Sequence, residues 1–421
     1  MALTRRTLLC SAGAAALTGA PLRAAAQAAP HVVVVGGGFA GATAAKYLRR
    51  FNPALRVTLV EPADRFVMCP MSNRVVYGGM GLADITRPYE RWAGRHEIRI
   101  VRAAADDIDV ERRELRAGGE RIAWDRLVVA PGVDFAYDAL PGLENAQAQA
   151  LVPHAWKAGP QTQKLREMLQ ALPAGGTVAM HIPKVPYRCP PGPYERASLI
   201  AYMLQLRNPR AKLLVFDSNP EIQAKKGLFE AAWKARYAGL IEYVPDAEVE
   251  RIDAASKTIT LKVQGRHKVD VLNVIPPQRA GAIARKAGLA NVGERWCGVD
   301  FLTYESTRHR NVHVIGDSIA GAPGMPKSGH MANQQAKVCA GAIAAVTLGQ
   351  PVPDEPIIAN TCYSFVSHTE AIHVASVHRW SREQRTMVTV KEAGGLSPAA
   401  STAEGLYAMA WATNILNDTL G

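Results

Sequence analysis

The sequence predicts an α/β protein made of two Rossmann-like dinucleotide-binding units in series, followed by a smaller α+β unit. Three observations predict it. A buried strand, a glycine turn, a helix, a second strand and an acid follow one another over His31–Glu61. A second strand–loop–helix–strand series runs from Thr177 to Asp217. From Pro351 onward, strands around 361–366, 371–378 and 386–391 precede a final helix near Ala403–Leu420.

At the N-terminus, Thr4-Arg5-Arg6-Thr7-Leu8-Leu9 resembles a twin-arginine export signal. An apolar run follows, and Ala26-Gln27-Ala28 fits the small-residue cleavage pattern. Residues 1–28 therefore read as a signal peptide, and the mature protein is expected in the periplasm. The run is too short for a membrane anchor and is broken by Gly19 and Pro21, so no integral membrane segment is expected in the mature chain. Twin-arginine export suits a protein that folds around its cofactor before it crosses.

In the first unit, Val32–Val35 is a short apolar run of the fully buried kind, and Ala40–Leu48 reads as a helix. Gly36, Gly38 and Gly41, with Phe39 and Ala40 between them, give G-x-G-x-x-G. Gly36 makes the tight turn, Gly38 lets backbone approach a pyrophosphate, and Gly41 lets helix and strand pack closely. The helix N-terminus offers free N–H groups to phosphate. Strand Arg56–Val60 ends at Glu61, which is placed for a ribose hydroxyl. The motif by itself leaves FAD and NAD both open. Residues 64–73 read as an irregular loop, residues 80–98 as partly helical, and Glu97–Val101 and Arg121–Val129 as strands around a polar hairpin-like segment, 106–120. Ala130-Pro131-Gly132 closes the first sheet. A connector over 133–160 leads to helix Gln161–Leu172.

The second unit has strand Thr177–Ile182, helix Ala197–Leu206, strand Lys212–Phe216 ending at Asp217, helix Gly227–Tyr237, and strand pairs around 241–263. Its first strand leads into Pro183-Lys184-Val185-Pro186-Tyr187-Arg188-Cys189-Pro190-Pro191-Gly192-Pro193 instead of a glycine loop. Prolines lack N–H groups and resist a phosphate-cradling turn. A pyrophosphate cannot be held there in the usual way, and Asp217 reads as a relic of a ribose-binding acid. Electrons are therefore expected from a donor other than NAD(P)H. Val312–Asp317 is a further strand, ending in Gly316-Asp317, and a long helix spans about Gly329–Leu348.

Of the six cysteines, Cys10 leaves with the signal. None lies in a C-x-x-C, haem-attachment or zinc spacing, so neither haem nor a structural metal is expected on this chain. Cys297 and Cys339 read as structural thiols. The formal net charge is +12, and removal of Arg5, Arg6 and Arg23 leaves about +9. Such a surface favours an anionic substrate or acidic partner by steering, or serves solubility alone. No arginine-rich or basic–aromatic run points to nucleic acid.

Three motifs in order, Gly36–Glu61, Ala130-Pro131-Gly132 and Val312–Asp317, resemble the flavoprotein disulfide reductase superfamily over nearly the whole mature chain. The resemblance implies a glutathione-reductase-like fold. A split FAD domain would cover 29–150 and 270–350, a second Rossmann-like domain without a nucleotide loop 151–269, and an interface domain 351–421. It also implies that Asp317 contacts the flavin ribityl or pyrophosphate.

Within that superfamily, CPPGPYER at Cys189–Arg196 and NTCYS at Asn360–Ser364 resemble the flavoprotein subunit of flavocytochrome c sulfide dehydrogenase. By this resemblance Cys189 and Cys362 form a redox-active disulfide over the flavin, and Cys69 carries FAD through a thioether. A free loop thiol with non-covalent FAD is the alternative for Cys69. The implied reaction is oxidation of sulfide to sulfur or polysulfide. Hydrosulfide attacks the disulfide, two electrons pass to FAD, and a c-type cytochrome on a separate chain receives them singly. Lys184 and Arg188 either attract hydrosulfide and lower a thiol pKa or merely solvate their loop, and Lys327 is placed to stabilise charge on reduced flavin. Competing readings are a sulfide:quinone oxidoreductase, an NADH-dependent disulfide or persulfide reductase, and a non-catalytic flavoprotein partner of a sulfur-oxidising system. The absence of Lys and Arg from residues 403–421 disfavours a basic membrane-surface anchor.

Overall fold

A computed structural model describes residues 29–421. The export signal, its cleavage site and Cys10 lie outside the described residues.

The first sheet is five-stranded and wholly parallel. Its spatial order is Val312–Val314, Arg126–Val129, His31–Val35, Arg56–Val60 and Ile98–Val101. Four consecutive valines, Val32–Val35, can occupy the sheet's centre because both faces there are covered. Helix Phe39–Phe51 and helix Gly329–Thr347 pack side by side against this sheet. Strand Val312–Val314 returns to the first sheet after the chain has built the second.

The second sheet runs Ile241–Val244, Lys212–Asp217, Thr177–Ile182, Val271–Val274, again all parallel. The C-terminal unit is an antiparallel sheet of Ile357–Phe365, Ala371–Ser381 and Thr386–Leu396. Helix Thr402–Leu420 packs on that sheet and on helix Phe39–Phe51, and its Asp418 accepts hydrogen bonds from Tyr47 of that helix (2.6 Å) and from Asn333 of helix Gly329–Thr347 (2.8 Å). The α/β class with two parallel sheets and a C-terminal antiparallel one is the class read from the sequence.

Two local expectations need correction. Residues 64–73 are not irregular throughout: Arg65–Val67 pairs with Thr86–Pro88, and Ser72–Tyr77 is helical. The strand expected over Arg121–Val129 is two strands. Glu120–Ala123 belongs to an antiparallel trio with Ala105–Asp109 and Glu114–Ala117, whereas Arg126–Val129 joins the central sheet. The break falls where Trp124 is buried and Asp125 receives the His31 N–H at 2.7 Å. An apolar alternation cannot show that a strand changes sheets.

Candidate active site

One cleft of about 340 Å³ lies where the three glycine-bearing motifs of the first sheet meet the loop after the second unit's first strand. Gly36 takes φ +94°, and a Cβ there would stand 2.4 Å from the Ala130 carbonyl oxygen. A Cβ on Gly41 would stand 1.7 Å from the Gly36 carbonyl oxygen, so this glycine serves helix–turn packing and does not line the cleft. Gly38 caps helix Phe39–Phe51 with no side chain and has open space before it. Glu61 accepts hydrogen bonds from Gly37 N (2.7 Å) and Ala63 N (2.9 Å). Tyr89, which the sequence reading missed, donates to the Gly37 carbonyl at 2.7 Å and clamps the turn from below.

On the other wall, Cys189 lines the cleft at φ +57°. A left-handed non-glycine costs roughly 1–3 kcal/mol and persists where the surroundings over-determine it. Its N–H donates to the Lys327 carbonyl at 2.7 Å, and its carbonyl accepts from Gly192 N at 2.9 Å. Gly192 opens helix Gly192–Arg207. A Cβ on it would meet Cys189 Sγ and the Trp156 ring at 2.8 Å each, so only glycine lets the two lie together.

Cys362 reaches the same place from strand Ile357–Phe365. Alternation puts Asn360, Cys362 and Ser364 on the buried face. Ser328 Oγ donates to Asn360 Oδ1 at 2.6 Å, and Asn360 Nδ2 lies 3.4 Å from Cys362 Sγ. Phe365 N donates to Glu195 Oε1 at 2.9 Å, which ties this strand to the helix just after Cys189. Burial pushes the Cys189 thiol up, and the nearby Cys362 adds to the shift. Burial raises Cys362 too, opposed by the Lys225 ammonium. Both cysteines stand as separate thiols in the structure. Cys297 and Cys339 are buried elsewhere.

Cys69 lines the cleft between strand Arg65–Val67 and helix Ser72–Tyr77, with its Sγ 3.4 Å from Arg188 Nη2. Arg188 also donates to the Trp156 carbonyl. Two other basic expectations are corrected. Lys184 is largely exposed and pairs with Glu248, away from the cleft. Lys327 turns its Nζ to the Asp317 carbonyl (3.1 Å), the Ile319 carbonyl and the face of Trp296 (3.7 Å), and does not line the cleft.

Asp217 is engaged within the chain. Asp217 Oδ2 accepts from Tyr194 (2.7 Å) and Tyr243 (2.9 Å), and its Oδ1 accepts from Asn219 N (2.9 Å) and Nδ2 (2.7 Å). Tyr187 and Tyr194 are fully buried in front of it. The expected relic is thus an internal hydrogen-bond hub.

Comparison with known proteins now adds a lineage. Residues 162–276 match the central region of the sulfide dehydrogenase [flavocytochrome c] flavoprotein chain, and 354–420 match the flavin-binding region of flavocytochrome c sulphide dehydrogenase. Residues 30–167 match the pyridine nucleotide-disulphide oxidoreductases. The sulfide dehydrogenase [flavocytochrome c] flavoprotein chain of Chlorobaculum thiosulfatiphilum is 66% identical over 45 residues, which cover 94% of that sequence and 11% of this chain.

The chain belongs to the family of flavocytochrome c sulfide dehydrogenase flavoprotein chains.

It is therefore of an oxidoreductase family. A sulfide-quinone reductase of Aquifex aeolicus is 27% identical over 336 residues, covering 74% of this chain and 75% of that one. The sulfide:quinone oxidoreductase structure from the same organism superposes with TM-score 0.75 at 21% identity, over 93% of this chain and 91% of that one.

Flavocytochrome c sulfide dehydrogenase flavoprotein chains bind flavin, and the cleft's residues fit FAD. The glycine turn leaves room for a pyrophosphate against the helix N-terminus. Asp317 lines the cleft, and among the described residues its carboxylate has no hydrogen-bond partner; burial raises it while Arg188 and Lys327 oppose. A carboxylate so placed suits ligand hydroxyls. Sequence reading also missed Trp156, Glu195 and Arg196. Arg196 is fully buried and donates to the carbonyls of His154 (2.8 Å) and Ala155 (2.5 Å), to Asn73 (3.0 Å) and to Asn273 (3.1 Å). The one available signal was a Glu-Arg pair inside an otherwise apolar helix.

Proposed function

We propose that this protein is a periplasmic sulfide dehydrogenase, oxidising sulfide to sulfur or polysulfide through Cys189, Cys362 and FAD and passing electrons to a c-type cytochrome subunit on another chain. One observation carries the reading: Cys189 is held in a strained conformation on the wall of the FAD cleft, by the same Lys327–Ser328 segment whose serine binds the Cys362 neighbour Asn360.

In this reading the cysteines alternate between dithiol and disulfide. Hydrosulfide enters the cleft and attacks Cys189, the member of the Cys189–Cys362 pair that lines it. The S–S bond breaks as the new S–S bond forms, leaving a persulfide on Cys189 and a thiolate on Cys362. Arg188, facing the cleft, holds the anion there. When bound, FAD supplies an acceptor for an electron pair that is released one electron at a time. Asp317 and Glu61 would hold the cofactor by its hydroxyls, Gly36, Gly38, Phe39, Ala40, Ala130, Gly132 and Gly316 would line its place, and Cys69 would tether it covalently. Export by the twin-arginine route fits a cofactor installed before transport. An anaerobic titration with sulfide, read by flavin absorbance, tests the reaction. Cys189→Ser should retain flavin and lose bleaching by sulfide; unchanged bleaching would sink the mechanism. Acid precipitation tests the tether, since flavin left in the supernatant contradicts it.

A second reading has one observation in its favour. The final helix exposes Leu406, Tyr407 and Met409 on a face without charge. That surface would suit a quinone-bearing membrane. Among the described residues no helix is long and apolar enough to cross a membrane. Turnover with short-chain quinones and none with cytochrome c would favour this second reading.

A further inference from the structure

Lys225 is a buried charge that neither the fold nor the cofactor cleft accounts for. It precedes helix Lys226–Arg236 of the second unit, at φ +58°. Instead of facing solvent, as its neighbour Lys226 does, it reaches across into the C-terminal sheet. Its Nζ donates to Ser364 Oγ at 2.7 Å, to the Cys362 carbonyl at 2.9 Å and to the Ile372 carbonyl at 3.4 Å. All three donors are thereby used, and the Phe229 ring lies 5.7 Å away.

A neutral side chain could join the two units at lower desolvation cost, because a buried charge is a poor source of net stability. The titratable groups within reach explain the choice of lysine. Facing Lys225 are Cys362 from the antiparallel sheet, Glu195 and Cys189 from the helix Gly192–Arg207 and its approach, and Glu404 from the final helix. Cys189 borders the cleft and Cys362 does not. Cys189 is therefore taken as the attacked sulfur and Cys362 as the leaving one. A leaving thiolate buried without a counter-charge would be expelled slowly.

We infer that Lys225 is the positioning residue that stabilises Cys362 as the leaving thiolate when the Cys189–Cys362 disulfide is opened. The step balances. Hydrosulfide and the disulfide give a Cys189 persulfide and a Cys362 thiolate, with one S–S bond formed, one broken and the negative charge moved onto the sulfur beside Lys225. The inference rests on the disulfide proposed above. Burial lowers Lys225 to about 8 while the Cys362 field opposes that fall, so the ammonium remains the main form at neutral pH.

The test uses the oxidised full-length flavoprotein and 2-mercaptoethanol as the attacking thiol. Opening is followed by mass spectrometry of the mixed disulfide, alongside flavin content and melting temperature. Lys225→Met should slow opening on the order of tenfold once normalised to the attacking thiolate. Lys225→Arg should stay near wild type. The normalised wild-type rate should fall as pH passes the range where Lys225 loses its proton, and that of Lys225→Met should not. Lys225→Gln serves in place of methionine if the latter does not fold. Wild-type opening rates in the neutral variants would overturn the inference, leaving Lys225 a structural pin. So would an arginine variant as slow as the methionine one. If oxidised wild type lacks the mass loss of a disulfide between Cys189 and Cys362, the disulfide reading itself fails, and this inference with it.

Discussion

Replacing Asp217 by asparagine should destabilise the second unit without touching any nucleotide affinity. The carboxylate is buried and receives two phenols, Tyr194 at 2.7 Å and Tyr243 at 2.9 Å, on one oxygen. Its other oxygen receives Asn219 twice. An asparagine cannot accept at both positions, so either both phenols or both Asn219 donors meet an NH₂ group. Hydrogen bonds to a charged acceptor contribute roughly 1.5–3 kcal/mol each, and an orphaned buried donor costs about 1–3 kcal/mol. Against this stands relief from burying a charge, whose cost is visible in the raised Asp217 carboxyl. A net loss of about 3 kcal/mol is expected. The assay is urea unfolding followed by tryptophan fluorescence, since Trp233 lies against Tyr194 and Tyr243. In parallel, anaerobic NADH should leave the flavin oxidised in both proteins. An unchanged unfolding midpoint would refute the hub. NADH bleaching of wild type that the variant loses would restore Asp217 as a ribose-binding acid.

Other expectations follow from the same geometry. Gly192→Ala should cost about 1–3 kcal/mol by overpacking, because its Cβ must displace Cys189 Sγ or the Trp156 ring; an unchanged melting temperature with full sulfide reactivity would contradict this. His154 accepts the Trp156 N–H at 2.7 Å, and burial with Arg196 and Arg188 nearby lowers it to about 3. The unfolded chain therefore binds a proton that the folded chain refuses between about pH 6.5 and 3, so stability is full above that window and falls with acidification. Relative to His154→Gln, wild type should lose about 2 kcal/mol more by pH 5, read as diverging melting temperatures; parallel profiles would contradict it. Gly41→Ala should abolish flavin retention, since its Cβ would overlap the Gly36 carbonyl oxygen and open the turn; normal flavin content would refute that role.

The parts legible in the sequence are those written in consecutive residues. The run Val32–Val35, the glycine spacing and Glu61 declare a strand, a turn, a helix and a second strand, because hydrophobic period and glycine chemistry act locally. The proline loop after Ile182 is likewise legible as chain that lacks the N–H groups of a phosphate cradle. The resemblance carried by CPPGPYER and NTCYS named two cysteines but could not supply their surroundings. What the tertiary structure alone decided lies between distant residues. Lys225 meets Cys362 across 137 positions, Glu195 meets Phe365 across 170, and Arg188 meets Cys69 across 119. Asp217 reads in the sequence as a relic of a ribose-binding acid, yet Tyr194 and Tyr243 make it a hydrogen-bond hub, and Lys327, expected to stabilise charge on reduced flavin, turns its Nζ to carbonyls. Local spacing carries no record of such contacts. A side chain's partner is set by which faces of separate sheets and helices are buried together, and that burial is a property of the whole fold.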